Sequence, residues 1–263
     1  AQIINRMKLS GKHKLSGVMT IGIVTDFCIH PFWPDVDKID YIVTANELIQ
    51  GEAVRKGIEA ERLLPFGIPV NLKFETRGDR EAARLKLGLD PDRFTMLVMS
   101  GSMGYGDLAE VVRSVLDLRM DVQVLSVCGN NKKAKAQIDE IESEELHNYG
   151  FVTNVDEMMD AADCIITKPG GITTSEALSK GLPIIIMNPI PGQEDRNTEF
   201  LLNSGVAMKV SKTAPISDVV FQMLYFKERV LSMRDNVSRI GKPHAVRDLC
   251  SFIKEHCDEG TAK

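Results

Sequence analysis

No apolar run in the sequence reaches the roughly 18 residues that a membrane-spanning helix needs, and no signal-peptide pattern opens the chain. Any membrane contact is therefore expected to be peripheral. Cysteine is sparse and scattered: Cys28, Cys128, Cys164, Cys250 and Cys257 form no CxxC pair, and no Cys/His spacing suits zinc. Such a dispersed, odd set argues against a secreted disulfide scaffold and for a reducing cytoplasm. Positive charge is in short supply, with 32 Lys and Arg against 37 Asp and Glu, so nothing draws the chain generally to nucleic acid. There is no Gly-Lys-Ser/Thr and hence no P-loop, no G-x-G-x-x-G, no internal repeat and no low-complexity tract.

One local absence runs the other way. Residues 1–17 contain no acid but carry Arg6, Lys8, Lys12, His13 and Lys14. They read either as a solvated, partly frayed terminus or as one edge of a surface for anionic lipid headgroups.

What is present is an alternation. Apolar, β-branched runs at Val18–Val24, Tyr41–Thr44, Phe94–Met99, Val122–Val127, Cys164–Thr167 and Pro183–Met187 predict strands. Helical patterns lie between several of them, at Glu47–Lys56, Arg80–Leu87, Leu108–Asp117, Lys132–Ser143, Thr174–Lys180 and Arg196–Asn203. Strands without polar alternation imply burial on both faces, and the strand–helix alternation implies a doubly wound parallel α/β sheet. Turn residues at Phe66–Val70, followed by a charged stretch, place a linker near residues 70–77. The expected organisation is a partial first domain over 1–72, a fuller second domain over 73–240, and a closing segment over 241–263. Pro243–Cys257 reads there as an amphipathic helix.

Four loops at strand ends could carry chemistry. Gly101, Ser102, Met103, Gly104 and Gly106 follow the run Phe94–Met99, where glycines let backbone N–H groups approach a phosphate; a tight turn without a ligand fits equally. Lys168-Pro169-Gly170-Gly171-Ile172-Thr173-Thr174-Ser175-Glu176 follows Cys164–Thr167 and opens a helix. It reads either as a capping box, Thr or Ser with Glu three residues on, or as an anion-binding turn. In the second case Glu176, about one turn inside the helix, could take two ribose hydroxyls. Gln193, Glu194 and Asn197 follow Pro183–Met187 and suit a polyhydroxylated sugar, or else form an acidic helix start. Asp26 and His30 end the first strand beside Phe32 and Trp33, the only tryptophan; His30 there is functional or structural. Phe151 and Val152 follow a short strand-like stretch, where Phe151 either packs into the core or offers a face to a base.

In this order the runs VTDFCIHPFW (24–33), GIP (67–69), GSMGYG (101–106), KPGGITTSEAL (168–178) and GLPIIIMNPIPGQEDRNTEFL (181–201) resemble the diacylglycerol glycosyltransferases of glycosyltransferase family 28. The same family holds the N-acetylglucosaminyltransferase of peptidoglycan synthesis. The resemblance covers nearly the whole chain. It implies a GT-B fold, two Rossmann-like domains facing a cleft with the last helix crossing back to the first. It also implies inverting, metal-independent transfer from a UDP-sugar, without a cofactor, to a lipid hydroxyl at the cytoplasmic face of the membrane. UDP-glucose or UDP-galactose would be the donor, diacylglycerol the acceptor, and an anionic membrane surface the partner.

By the same resemblance, Gly101–Gly106 and Gly170–Thr173 border the diphosphate and Glu176 binds the ribose. Phe151 and Val152 frame the uracil, and Gln193, Glu194 and Asn197 line the donor sugar or its surroundings. His30 contacts the donor or steers the acceptor. The family's histidine-bearing glycine loop, close to the proposed base, has no counterpart here, which leaves Asp26 as the fallback base and the acceptor-side domain incomplete. Two other readings are a UDP-N-acetylglucosamine transferase and a nucleotide-sugar-binding subunit without catalysis of its own.

Overall fold

The computed structural model describes residues 1–11, 15, 17–33, 35–99 and 107–258, with the backbone alone at 193, 257 and 258. Two compact units result: Ala1–Asn71 with Lys242–Lys263, and Leu72–Gly241.

In the first unit the chain forms α1 (Gln2–Ser10), β1 (Ile21–Ile23), β2 (Tyr41–Val43), α2 (Gln50–Arg55) and β3 (Leu63–Leu64). The strands make a parallel sheet in the order β1-β2-β3, with Ile21 opposite Tyr41 and Ile42 opposite Leu63. Strand β1 is shorter than the apolar run predicted, because Val18, Met19 and Thr20 lead into the sheet without pairing as strand. The basic N-terminus is not frayed over residues 2–10. Asn5 is buried and docks the helix: its amide donates to the Asp35 carbonyl (3.0 Å) and accepts the Lys38 N–H (2.7 Å). Lys8 turns inward to Asp40 (2.6 Å) and Thr20 (3.0 Å), so its charge is spent inside the fold.

The second unit runs through α3 (Arg80–Lys86), β4 (Phe94–Met99), α4 (Leu108–Leu116), β5 (Val122–Val127), α5 (Lys132–Asp139), β6 (Leu146–Tyr149), α6 (Val155–Ala161), β7 (Cys164–Thr167), α7 (Gly171–Ser179), β8 (Ile184–Ile186), α8 (Gln193–Asn203), β9 (Ala207–Lys209), α9 (Ile216–Tyr225) and α10 (Lys227–Ile240). Its six strands are all parallel, in the order β6-β5-β4-β7-β8-β9. Every residue of β5, β7 and β8 is buried, as helices on both faces require of a parallel sheet. The chain winds outward from β4 to β6, then returns to β7 and winds the other way. Strands β4 and β7 therefore flank a topological switch point, beyond whose carboxyl ends a crevice opens.

The last helix, α11 (Ala245–Asp258), belongs to the first unit. Phe252 meets Tyr41 edge-on at 4.8 Å and Phe66 at 5.8 Å. Its start passes so close to Gly67 (φ 102) that a Cβ there would lie 2.3 Å from the Cβ of Lys242.

The amino edge of the six-stranded sheet is cross-braced by one carboxylate. Asp163, just before β7, accepts from Arg80 (2.9 Å), Arg84 (2.5 Å) and Arg234 (3.0 Å), and from the Thr95 N–H (2.9 Å). It thus ties α3, α10 and β4 to β7. Removing it would leave a buried guanidinium, Arg84, without its counter-ion. Asp163→Ala is expected to lower the unfolding free energy by about 3–5 kcal/mol. Urea unfolding checks this, and a loss below about 1 kcal/mol would show the brace to be dispensable.

Candidate functional site

The crevice at the switch point is a shallow concavity of about 30 Å³ lined by Val98, Met99, Thr167, Lys168, Met187 and Asn188, the ends of β4, β7 and β8. Asn188 has φ 44, the left-handed conformation that asparagine adopts more readily than most non-glycine residues. Gly101, Ser102, Met103, Gly104 and Gly106 lie outside the described residues, between Met99 and Asp107.

The turn after β7 is built to expose a helix start. The Gly170 N–H closes a tight turn on the Lys168 carbonyl (2.9 Å), and α7 begins at Gly171, three residues before the predicted Thr174. The N-cap is Gly170, with no side-chain cap. The capping-box alternative is therefore not what forms: Thr173 and Glu176 both lie inside α7, and the glycine takes the cap position. Thr174 is the first to close a helical bond, to Gly170 (3.0 Å), so the N–H groups of Gly171, Ile172 and Thr173 point out along the axis. Such a cluster, at the positive end of the helix dipole, is suited to an anion. Two buried hydroxyls flank it, Thr167 Oγ1 and Thr174 Oγ1, without partners among the described residues.

Asn197 has a role that its motif did not suggest. Its side chain is fully buried, and Nδ2 donates to the Pro169 carbonyl (3.0 Å). The amide therefore braces the turn from α8 and is not open to a sugar. Glu194 and Asp195 likewise serve their own loop, since Glu194 Oε2 accepts the Ile190 N–H (2.5 Å) and Asp195 Oδ2 accepts the Gly192 N–H (2.9 Å). The acidic helix start weighed for this segment is thus realised, with Gln193 as the first residue of α8.

Glu176 is half-buried, and loss of solvent around its carboxyl pushes the pKa up to about 7, partly offset by the nearby Lys73 ammonium. Lys73 also pairs with Asp156 (2.9 Å), donates to the Thr153 carbonyl and lies over the Phe74 ring at 5.2 Å. It thereby links the segment after β6 to Glu176. Phe151, in that segment, is 64% exposed, so the core-packing alternative for it falls and its ring is open to stacking. Val152 beside it is half-buried.

Asp26 and His30 belong to the first unit, at the carboxyl end of β1, and both are half-buried. His30 Nδ1 accepts the Phe32 N–H (3.4 Å), and the two rings lie 4.8 Å apart. The loop is pinned at Ile29, whose N–H donates to Glu52 (3.2 Å) and whose carbonyl accepts from Lys56, while Lys56 pairs with Glu52 (2.6 Å). Neither Lys73 nor the Glu52–Lys56 pair stood out in the sequence. A lone lysine in a charged stretch and an i,i+4 ion pair both look like solvated surface.

The glycosyltransferase family 28 C-terminal domain profile matches residues 95–242, and the monogalactosyldiacylglycerol (MGDG) synthase profile matches residues 2–70. The chain is 32% identical over 244 residues to the processive diacylglycerol beta-glucosyltransferase of Bacillus licheniformis, covering 92% of this chain and 63% of that protein. The corresponding enzyme of Bacillus pumilus is 30% identical with the same coverage. The chain therefore spans 63% of the length of these curated relatives. Among solved structures, MurG of Acinetobacter baumannii aligns with a TM-score of 0.64 at 16% identity, over 92% of this chain and 68% of that one. HepE of Anabaena, in complex with UDP and glucose, aligns at 0.55 and 13% identity, over 91% and 71%. These likenesses identify the fold as GT-B.

The raised pKa of Glu176 has a signed consequence. Between pH 4.5 and about 7 the unfolded chain releases the proton that the folded chain keeps. Stability should therefore fall as pH rises through that window. Glu176→Gln removes this penalty, on the order of 3 kcal/mol in full. Unfolding curves at pH 5 and pH 8 should move in the variant's favour at the higher pH, and parallel pH profiles for the two proteins would refute the assignment.

Proposed function

This chain belongs to glycosyltransferase family 28, and from that premise we propose that it transfers a hexose from UDP-glucose or UDP-galactose to a diacylglycerol-type lipid. The transfer inverts the anomeric centre, uses no metal or cofactor, and takes place at the anionic cytoplasmic face of the membrane. The observation that carries this reading is the uncapped start of α7 with a half-buried carboxyl of raised pKa on the same helix. Glu176 lies five residues after Gly171, about 7 Å along the axis. That spacing suits a diphosphate on the N–H groups of Gly171, Ile172 and Thr173 with ribose hydroxyls on Glu176.

The Gly101–Gly106 segment is assigned to the other side of the diphosphate. The open ring of Phe151, with Val152, is assigned to the uracil, and Lys73 holds that segment in place. Gln193 and Glu194 are assigned to the donor sugar, and Asn197 acts there by bracing Pro169. The acceptor hydroxyl oxygen attacks the anomeric carbon, the bond to the diphosphate breaks, and its electron pair passes to the leaving β-phosphate oxygen. Charge developing there is met by preorganised N–H groups and the helix dipole, the task that a metal ion performs elsewhere. The relatives' beta products support inversion, because the common UDP-hexoses are α-linked. On the first unit His30 steers the acceptor, and Asp26 is the carboxylate this chain offers to take the hydroxyl proton. No helix of the described residues is long and apolar enough to cross a membrane, which agrees with peripheral contact.

Glu176→Ala should weaken UDP binding by about 1–3 kcal/mol, the cost of a lost charge-assisted hydrogen bond. Calorimetric titration with UDP measures this, and unchanged affinity would remove Glu176 from the site. In a transfer assay with diacylglycerol vesicles, donor binding without turnover would reduce the chain to a nucleotide-sugar-binding subunit.

A further inference from the structure

The carboxylate that braces the amino edge of the second unit's sheet is outnumbered. Asp163 Oδ2 is taken by Arg84 (2.5 Å) and the Thr95 N–H (2.9 Å). Its Oδ1 is shared by Arg80 (2.9 Å) and Arg234 (3.0 Å). Three guanidinium groups thus meet one carboxylate, leaving two positive charges in excess. Four acids on α6 and α10 are committed elsewhere. Asp156 holds Lys73, Glu157 holds Lys86, Asp160 holds Lys180 (2.7 Å), and Asp235 holds Arg239 (2.8 Å).

The three arginines are not equivalent. Arg84 is buried, and its remaining N–H groups reach the carbonyls of Ala161 (2.9 Å) and Pro91 (2.7 Å). It is a satisfied structural residue. Arg80 and Arg234 retain side-chain exposures of 41% and 28%, yet the Nε of each is buried without a partner among the described residues. Because both bond the same oxygen of Asp163, the two guanidinium groups stand side by side. Burial pushes the Arg80 pKa down, and repulsion from Arg234 pushes it further. The positive charge of the two partly exposed guanidinium groups exceeds what the protein supplies to balance it, at a place solvent can reach. A compact oxyanion with several acceptor oxygens would balance that charge, and guanidinium pairs bind such anions well.

We propose that Arg80 and Arg234 form a second anion site, at the edge of the sheet opposite the switch-point crevice, for a phosphate-type oxyanion. The source is either free phosphate or the phosphomonoester of a lipid headgroup. This site does not depend on the sugar-transfer reading.

The test uses the full chain in saturating UDP, so that the crevice is filled before phosphate is added. Inorganic phosphate, at ionic strength matched with chloride, should raise the thermal midpoint of the parent protein. Arg80→Gln with Arg234→Gln should weaken the phosphate response roughly tenfold or more. A parent midpoint that follows chloride and phosphate equally overturns the proposal, as does an undiminished response in the folded double variant. A second measurement needs no double variant. The arginine Nε–Hε NMR signals of Arg80 and Arg234 in the parent should shift as phosphate is added, and static signals overturn the site. Flotation with phosphatidylcholine vesicles, with and without a phosphomonoester lipid, separates the sources. Capture that requires both the lipid phosphate and the two arginines assigns the headgroup, whereas a response to inorganic phosphate alone assigns the free anion.

Discussion

A single buried hydrogen bond, from Asn197 Nδ2 to the Pro169 carbonyl, lets the rest of the second unit's site exist. A glycine turn that leads into an uncapped helix has little to hold it. Gly170 at the cap offers no side chain to the first N–H groups of α7, and Gly170 and Gly171 bring large conformational freedom. Asn197 supplies a constraint from the next helix by donating to the Pro169 carbonyl, which holds the turn without using the N–H groups that an anion needs. A Ser or Asp at the cap would have fixed the same turn by engaging those groups.

Unfavourable terms gather along the carboxyl edge of the sheet. Asn188 holds a positive φ, two threonine hydroxyls are buried without partners among the described residues, and Glu176 lies where ionisation is costly. A core optimised for stability alone would carry none of these. Lys73 moderates the last of them without abolishing it. Its ammonium is already divided between Asp156 and the Thr153 carbonyl, so Glu176 feels an attenuated charge. The carboxyl therefore stays near its own midpoint at neutral pH, able to respond to a hydrogen-bonding ligand.

The sequence made the interior of the sheet readable and its margins much less so. Strands β4, β5 and β7 begin and end where the apolar runs do, since double burial leaves no other place for Phe94–Met99, Val122–Val127 and Cys164–Thr167. The two- and three-residue strands β3 and β9 escape detection because so few residues give no period to read. The start of α7 lies ahead of the pattern because two signals compete there. Thr173 and Glu176 have capping-box spacing, but Gly170, in extended conformation, reaches the cap position first. The site was legible where a motif shares one turn, as at Lys168–Glu176. It was illegible where long-range contact does the work. Lys73 meets Thr153 across eighty residues of sequence and Asn197 meets Pro169 across twenty-eight, and no local pattern encodes either pairing.

The two edges of this sheet solve opposite electrostatic problems with the same economy of charge. At the carboxyl edge, backbone N–H groups offer partial positive charge without a committed counter-ion, and one carboxyl is kept near neutrality by burial. At the amino edge, full positive charges are gathered around one carboxylate that cannot neutralise them. Arg84 alone would have sufficed to give Asp163 a counter-ion, and its own donors are satisfied by buried hydrogen bonds. Two further guanidinium groups on the same acid add repulsion and desolvation, with little packing return at side-chain exposures of 41% and 28%. A brace needs charge balance, whereas a binding site needs an imbalance that a ligand can relieve. By that criterion the outer half of the arginine cluster resembles the helix start at the other edge more than it resembles the ion pairs of α6.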